Sequence, residues 1–138
     1  VPSGLTVNTH VCRGNYHSTW ASSGGYGPIA DELFEKEKVN AYFLEFDTER
    51  AGGFEPLAKV TPGKKVVLGL LTSKSGDLEK KEEVIARIKE ASQYVPLENL
   101  YLSTQCGFAS TEEGNILTEE SQWEKIALIS DIVKEVWG

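Results

Sequence analysis

The chain has no methionine and only two cysteines in 138 residues. Two thiols do not make a disulfide framework, so the expected setting is a reducing cytoplasm, with both thiols available for other chemistry. Positive charge is also scarce. Fourteen lysines and arginines stand against 21 aspartates and glutamates, a net charge of −7. Nucleic acid and anionic membrane surfaces both need a basic patch, and this balance argues against either as a partner. No apolar run approaches the ~20 residues that span a bilayer. No basic-then-apolar N-terminal segment marks a secretory signal. The sequence contains no Gly-x-Gly-x-x-Gly after an apolar run and no Gly-Lys-Ser/Thr, the two common phosphate-cradling loops. A chain without methionine that begins Val-Pro-Ser-Gly is expected to be a piece of a longer polypeptide.

What is present suits one soluble domain, with 40% hydrophobic and 25% charged residues. Four β-type runs alternate with four helical patterns. Strands are predicted over 5–11, 41–46, 66–71 and 100–104. After a turn-rich loop, Pro28 suits the first turn of a helix whose apolar stripe is Ile29, Ala30, Leu33 and Phe34. A shorter helix is predicted over 54–59. Asp77 is placed to cap a third helix with the stripe Val84, Ile85, Ile88, Ala91 and Val95. A last helix starts near Thr118, with Trp123, Ile126, Ala127, Val133 and Trp137 as its expected buried face. Strand starts lie roughly 25 to 35 residues apart, the size of a βα unit, which implies a parallel sheet with right-handed crossovers. An open doubly wound sheet and part of a (β/α)8 barrel both fit. A whole barrel needs about 250 residues, so this chain could supply half of one.

The chemistry gathers at strand ends. His10 and Cys12 are two apart, so a strand aims both the same way, and imidazole and thiol are donors that zinc prefers. Glu45 follows Tyr42-Phe43-Leu44. A carboxylate at the end of a buried strand needs a partner, either a metal or a lysine or arginine. Cys106 follows the fourth run. In both architectures sites form at the C-terminal ends of strands, but only a closed barrel makes several separate ends converge. His17 reads as a loop residue and Glu49-Arg50 as a solvated pair. Tyr16 and Trp20 belong to packing or to a pocket wall, and Lys74 points either at an anionic group or into water.

Thr9-His10-Val11-Cys12, Leu44-Glu45 and Gln105-Cys106-Gly107 together resemble the cobalamin-independent methionine synthase family, in particular the C-terminal part of its zinc-bearing barrel domain. The resemblance covers nearly the whole chain and is closest to short, single-domain members. It implies strands five to eight of a (β/α)8 TIM barrel over residues 1–138, with a zinc ion held by His10, Cys12, Glu45 and Cys106. The missing half would lie upstream in the same chain or in a partner chain. The implied reaction is methyl transfer to a thiol, with homocysteine as acceptor and a methylated folate as a possible donor. Two alternatives are a corrinoid-linked thiol methyltransferase of the same superfamily and a non-catalytic domain with a structural zinc. Long members carry Asp-x-His-Ser after the seventh strand, with its histidine a candidate proton donor. Here that stretch reads Leu71-Thr72-Ser73-Lys74-Ser75, so no catalytic acid or base and no substrate-binding residue is assigned in this chain. The acidic residue that holds the amino-acid substrate in the family belongs to the absent half.

Overall fold

The computed structural model describes residues 2–12, 26–46, 53–108 and 117–138. Within them β1 (Asn8–Val11), β2 (Ala41–Glu45), β3 (Lys65–Leu71) and β4 (Leu100–Thr104) form one parallel sheet in sequence order. The predicted strands are present, β1 starting three residues later than its apolar pattern suggested because Leu5 is exposed. Helix α1 (Lys81–Ala91) joins β3 to β4, and α2 (Glu119–Val136) follows β4. In the described parts of the first two crossovers, 3₁₀ and π-helical segments stand where α-helix was expected. Gly27–Ile29 is a 3₁₀ turn running into a π-helical stretch over Asp31–Lys36, and Glu55–Lys59 is a second 3₁₀ turn. A proline opens each 3₁₀ turn, where its fixed φ and missing N–H do no harm.

The two faces of the sheet differ. Tyr42, Leu44, Phe46, Val66, Leu68, Leu70 and Leu100 form the core with Phe34, Leu57, Val84, Ile88 and Ile132 from the connecting segments. The strand register places Asn8, His10, Phe43, Lys65, Val67 and Tyr101 together on the opposite face. None of these belongs to the core cluster, and Tyr101 is 42% exposed. Among the described residues, the helical segments thus cover one face of the sheet and leave the face that carries His10 without a helical layer.

Two expectations about the helices need correction. Asp77 does not cap α1, whose N-cap is Lys80 with no side-chain bond; the Asp77 carbonyl accepts instead from Lys125 Nζ at 2.9 Å. Helix α2 starts as expected, with the Thr118 hydroxyl accepting from Ser121 N, but it turns a different face inward. Trp123, Ile126, Ala127 and Val133 are exposed, while Lys125, Leu128, Ile129, Ile132 and Val136 face the core. The helix carries two apolar stripes, and periodicity alone cannot rank them. Lys125 decides between them, because its ammonium is fully buried and also donates to both oxygens of Glu79, at 3.0 and 3.2 Å. Exposing the other stripe keeps that charge paired. With the helix turned the other way Lys125 would be hydrated, and Glu79 would lose the ammonium that now meets both of its oxygens. Tyr16, His17, Trp20 and the Glu49-Arg50 pair lie outside the described residues. Among those described, no helix is long and apolar enough to cross a membrane.

Candidate metal centre

His10, Cys12, Glu45 and Cys106 each offer one donor atom, and these atoms lie within 4.8 Å of one another. The expected four are therefore brought together. Cys12 Sγ and Cys106 Sγ are 3.6 Å apart, Cys106 Sγ is 3.3 Å from Glu45 Oε1, and His10 Nε2 is 3.9 Å from the same oxygen. With metal–sulfur bonds of about 2.3 Å, two thiolates on one tetrahedral zinc sit about 3.8 Å apart, close to the sulfur spacing here. Neither cysteine is in a disulfide.

β2 and β4 are not neighbours, since β3 lies between them. Strands two apart in a sheet are about 9–10 Å from each other. Glu45 and Cys106 nevertheless touch, and Gly69 is the reason. It sits in register with Glu45 on one side and Ser103 on the other, so any side chain it carried would crowd the backbone that carries both donors. A Cβ built there would lie 3.0 Å from the Leu44 carbonyl and 3.0 Å from Gln105 Cα, both backbone atoms that can give only with their strands. Gly69→Val is expected to destabilise the fold by about 1–3 kcal/mol through this overpacking. It should also strip the centre of metal, whereas Val67→Ile, one pleat away, should leave metal content unchanged. Chemical denaturation and metal analysis of the two variants provide the check.

Glu45 is fully buried. The Tyr26 hydroxyl accepts from Glu45 N at 2.7 Å and lies 3.3 Å from its carbonyl, which pins the backbone under the carboxylate. Among the described residues no lysine or arginine pairs with that carboxylate, and Glu45 Oε2 is a buried oxygen without a hydrogen-bond partner. A buried carboxylate beside two thiols and an imidazole, with one oxygen unpartnered among the described residues, is what a cation would satisfy. Cys106 agrees. Burial first, then the Glu45 charge and the bonds to Glu45 and Cys12, push its thiol well above the ordinary range. In such surroundings a thiolate forms only with a positive charge among the donors. The residues present fit a divalent metal.

The centre opens toward the uncovered face, where the His10 side chain is 46% exposed and Cys12 is also exposed. A cavity of about 260 Å³ lies beside it, lined by His10, Phe43, Ser103 and Cys106 among others. The sequence reading missed Gly69, Tyr26 and Gln105. Gly69 interrupts the apolar run 66–71, and that interruption was the only local sign of a close approach. Lys74 does not point into water. It is buried, and its Nζ donates to Gln105 Oε1.

A family model for the catalytic domain of cobalamin-independent synthase matches residues 2–127. YxjG of Bacillus subtilis (strain 168), named only as uncharacterized, is 53% identical over 137 residues, 99% of this chain and 36% of that protein. Methionine synthase of Pyrococcus horikoshii is 26% identical over 103 residues, 75% of this chain and 27% of that protein. Among solved structures, a Listeria monocytogenes protein provisionally described as a vitamin-B12-independent methionine synthase superposes with a TM-score of 0.73 at 38% identity. That superposition covers 99% of this chain and 36% of the other. A B12-independent methionine synthase from Shewanella sp. W3-18-1 shares the fold with a TM-score of 0.75 at 23% identity, over 97% of this chain and 40% of the other. The chain thus spans about a third of the length of the curated relatives it matches. The matching model is cobalamin-independent, which argues against the corrinoid-linked alternative. With a match over most of its length, the chain belongs to the cobalamin-independent methionine synthase family and forms part of that family's catalytic domain.

Proposed function

We propose that this chain is the zinc-bearing half of a (β/α)8 barrel methyltransferase, with homocysteine as the methyl acceptor and a methylated folate as donor. The observation that carries the metal reading is the convergence of four donors from three strand ends, two of them meeting across Gly69. The barrel reading rests on the all-parallel sheet covered on one face only, since a half-barrel leaves its inner, site-bearing face open.

Bound there, zinc would supply the positive charge that keeps a substrate thiol deprotonated near neutral pH, where a free alkyl thiol is mostly protonated. The chain's own donors set how strongly that charge is felt. Two cysteine thiolates, the Glu45 carboxylate and a neutral His10 bring three negative charges against the ion's two positive ones, so an incoming thiolate keeps its electron density. Glu45 is the hard oxygen donor among softer ones, and its replacement by sulfur costs least. Tyr26 holds the Glu45 backbone, so the carboxylate can swing without moving the strand. Phe43 and Ser103, in the wall of the adjoining cavity, would position the thiol's organic part, and much of the acceleration would come from that alignment.

A closed structural site is usually cysteine-rich; here one donor is the oxygen of Glu45, which favours exchange. The test is zinc-edge X-ray absorption on the full-length protein with and without homocysteine. A gain of one sulfur with loss of one oxygen is expected in the wild type. Glu45→Gln should retain zinc through the other three donors yet respond abnormally to the thiol. An unchanged donor shell at saturating homocysteine would mark the ion as structural and remove the methyltransferase reading.

A further inference from the structure

Gln105 is 2% exposed and Lys74 is 4% exposed, and they meet beside Cys106. Gln105 Oε1 accepts from Lys74 Nζ and, at 3.1 Å, from the Ser73 hydroxyl. The other end of the amide, Nε2, donates to Cys106 Sγ at 2.7 Å. A primary amide is almost symmetric in shape, so packing alone does not choose between its oxygen and nitrogen ends. Ser73 does not choose either, because a hydroxyl can donate or accept. Lysine does. Its ammonium has three donors and no acceptor, so only the amide oxygen can face it, and the N–H end is left for the sulfur.

We propose that Lys74 is a positioning residue that fixes the polarity of the Gln105 amide, so that Cys106 receives an N–H and not a carbonyl lone pair. With the amide reversed, a carbonyl oxygen would press against a thiolate, two electron-rich atoms at hydrogen-bond distance. With the amide held, the thiolate gains a charge-assisted bond. Outer donors of this kind typically change metal affinity about 10–100-fold. The loop that carries Lys74 is itself anchored at both ends of its turn. Glu79 Oε1 accepts from Thr72 N at 3.0 Å and is held in turn by the buried Lys125 of α2. The packing of the last helix thereby reaches the metal centre through Glu79, Lys74 and Gln105.

This inference rests on the metal reading of His10, Cys12, Glu45 and Cys106, and the experiment separates the two. The full-length protein is stripped of metal, its zinc affinity is measured by competition with a chromophoric chelator, and its cobalt(II) form is recorded in the near ultraviolet. If the wild type takes up no cobalt with thiolate-to-metal charge transfer, the metal reading itself falls. If it does, Lys74→Met is expected to weaken zinc binding about 10–100-fold and to shift the charge-transfer band. Lys74→Arg, again donor-only, should keep both properties near wild type. Should Lys74→Met fail to fold by circular dichroism, Lys74→Gln replaces it with the same expectation, because an amide can present either end. In a Gln105→Met background the identity of residue 74 should no longer matter. Wild-type affinity and an unshifted band in Lys74→Met or Lys74→Gln would overturn the proposal. So would an equal loss with and without Gln105.

Discussion

Replacing Cys12 and Cys106 together by serine is expected to abolish stoichiometric zinc binding, the largest functional effect available in this chain. The two sulfurs are 3.6 Å apart, a spacing that two thiolates on one metal require and two unrelated buried cysteines do not. Four-donor zinc sites bind with roughly 10–16 kcal/mol, so each lost thiolate should cost on the order of 3 kcal/mol, about 10²-fold in affinity. The single variants should therefore hold zinc weakly and the double variant not at all. Cys106→Ser should also be the better tolerated by the metal-free fold. Its thiol sits against the Glu45 carboxylate and is pushed far above its ordinary pKa by burial, so the folded protein keeps it protonated, and a hydroxyl can take the same place. Full zinc occupancy in the double variant, measured by metal analysis after dialysis, would end the assignment.

The second large effect concerns the open face of the sheet. Expressed alone, the 138-residue chain is expected to associate or to bind hydrophobic dyes, and to be far less stable than the full-length protein. Phe43, Val67 and Tyr101 lie on a face that no segment of the core cluster covers. Among the described residues, β1 and β4 are the two edges of the sheet. Trp123, Ile126 and Val133 add an exposed apolar stripe on α2, at 63, 44 and 38% exposure. Exposed apolar area of this kind favours partners over solvent. Four further βα units would close both edges and cover the face at once, which is why the full-length protein should lose the dye binding and gain a cooperative unfolding transition. Sedimentation and denaturant titration of both forms provide the comparison. A stable, dye-silent monomer of the short chain would refute the half-barrel reading.

The contrast between α1 and α2 shows where sequence reading reaches its limit. Helix α1 has one apolar stripe, and Val84, Ile88 and Ala91 are buried as its spacing indicated. In α2 the more conspicuous stripe, with its tryptophan, faces out, because a lysine on the other face found a carboxylate 46 positions earlier in the chain. No local pattern carries that information. Lys74 behaves alike. The amide it meets, Gln105, follows another strand 31 positions later, and packing brings the two together.

By itself the sequence determined the strands, their parallel βα order, and the four donors at their ends, because alternation, turn residues and donor chemistry are local properties. His10, Cys12, Glu45 and Cys106 could be singled out as donor types on that basis. The tertiary structure alone decided that Glu45 would meet two thiols and an imidazole. It also decided that Gly69 would let donors from non-adjacent strands touch, and that Lys74 and Lys125 would both be buried with partners. Each of these depends on how residues far apart in sequence share a few ångströms of space, where the competing costs of burying a charge, filling a gap and satisfying a donor are settled together.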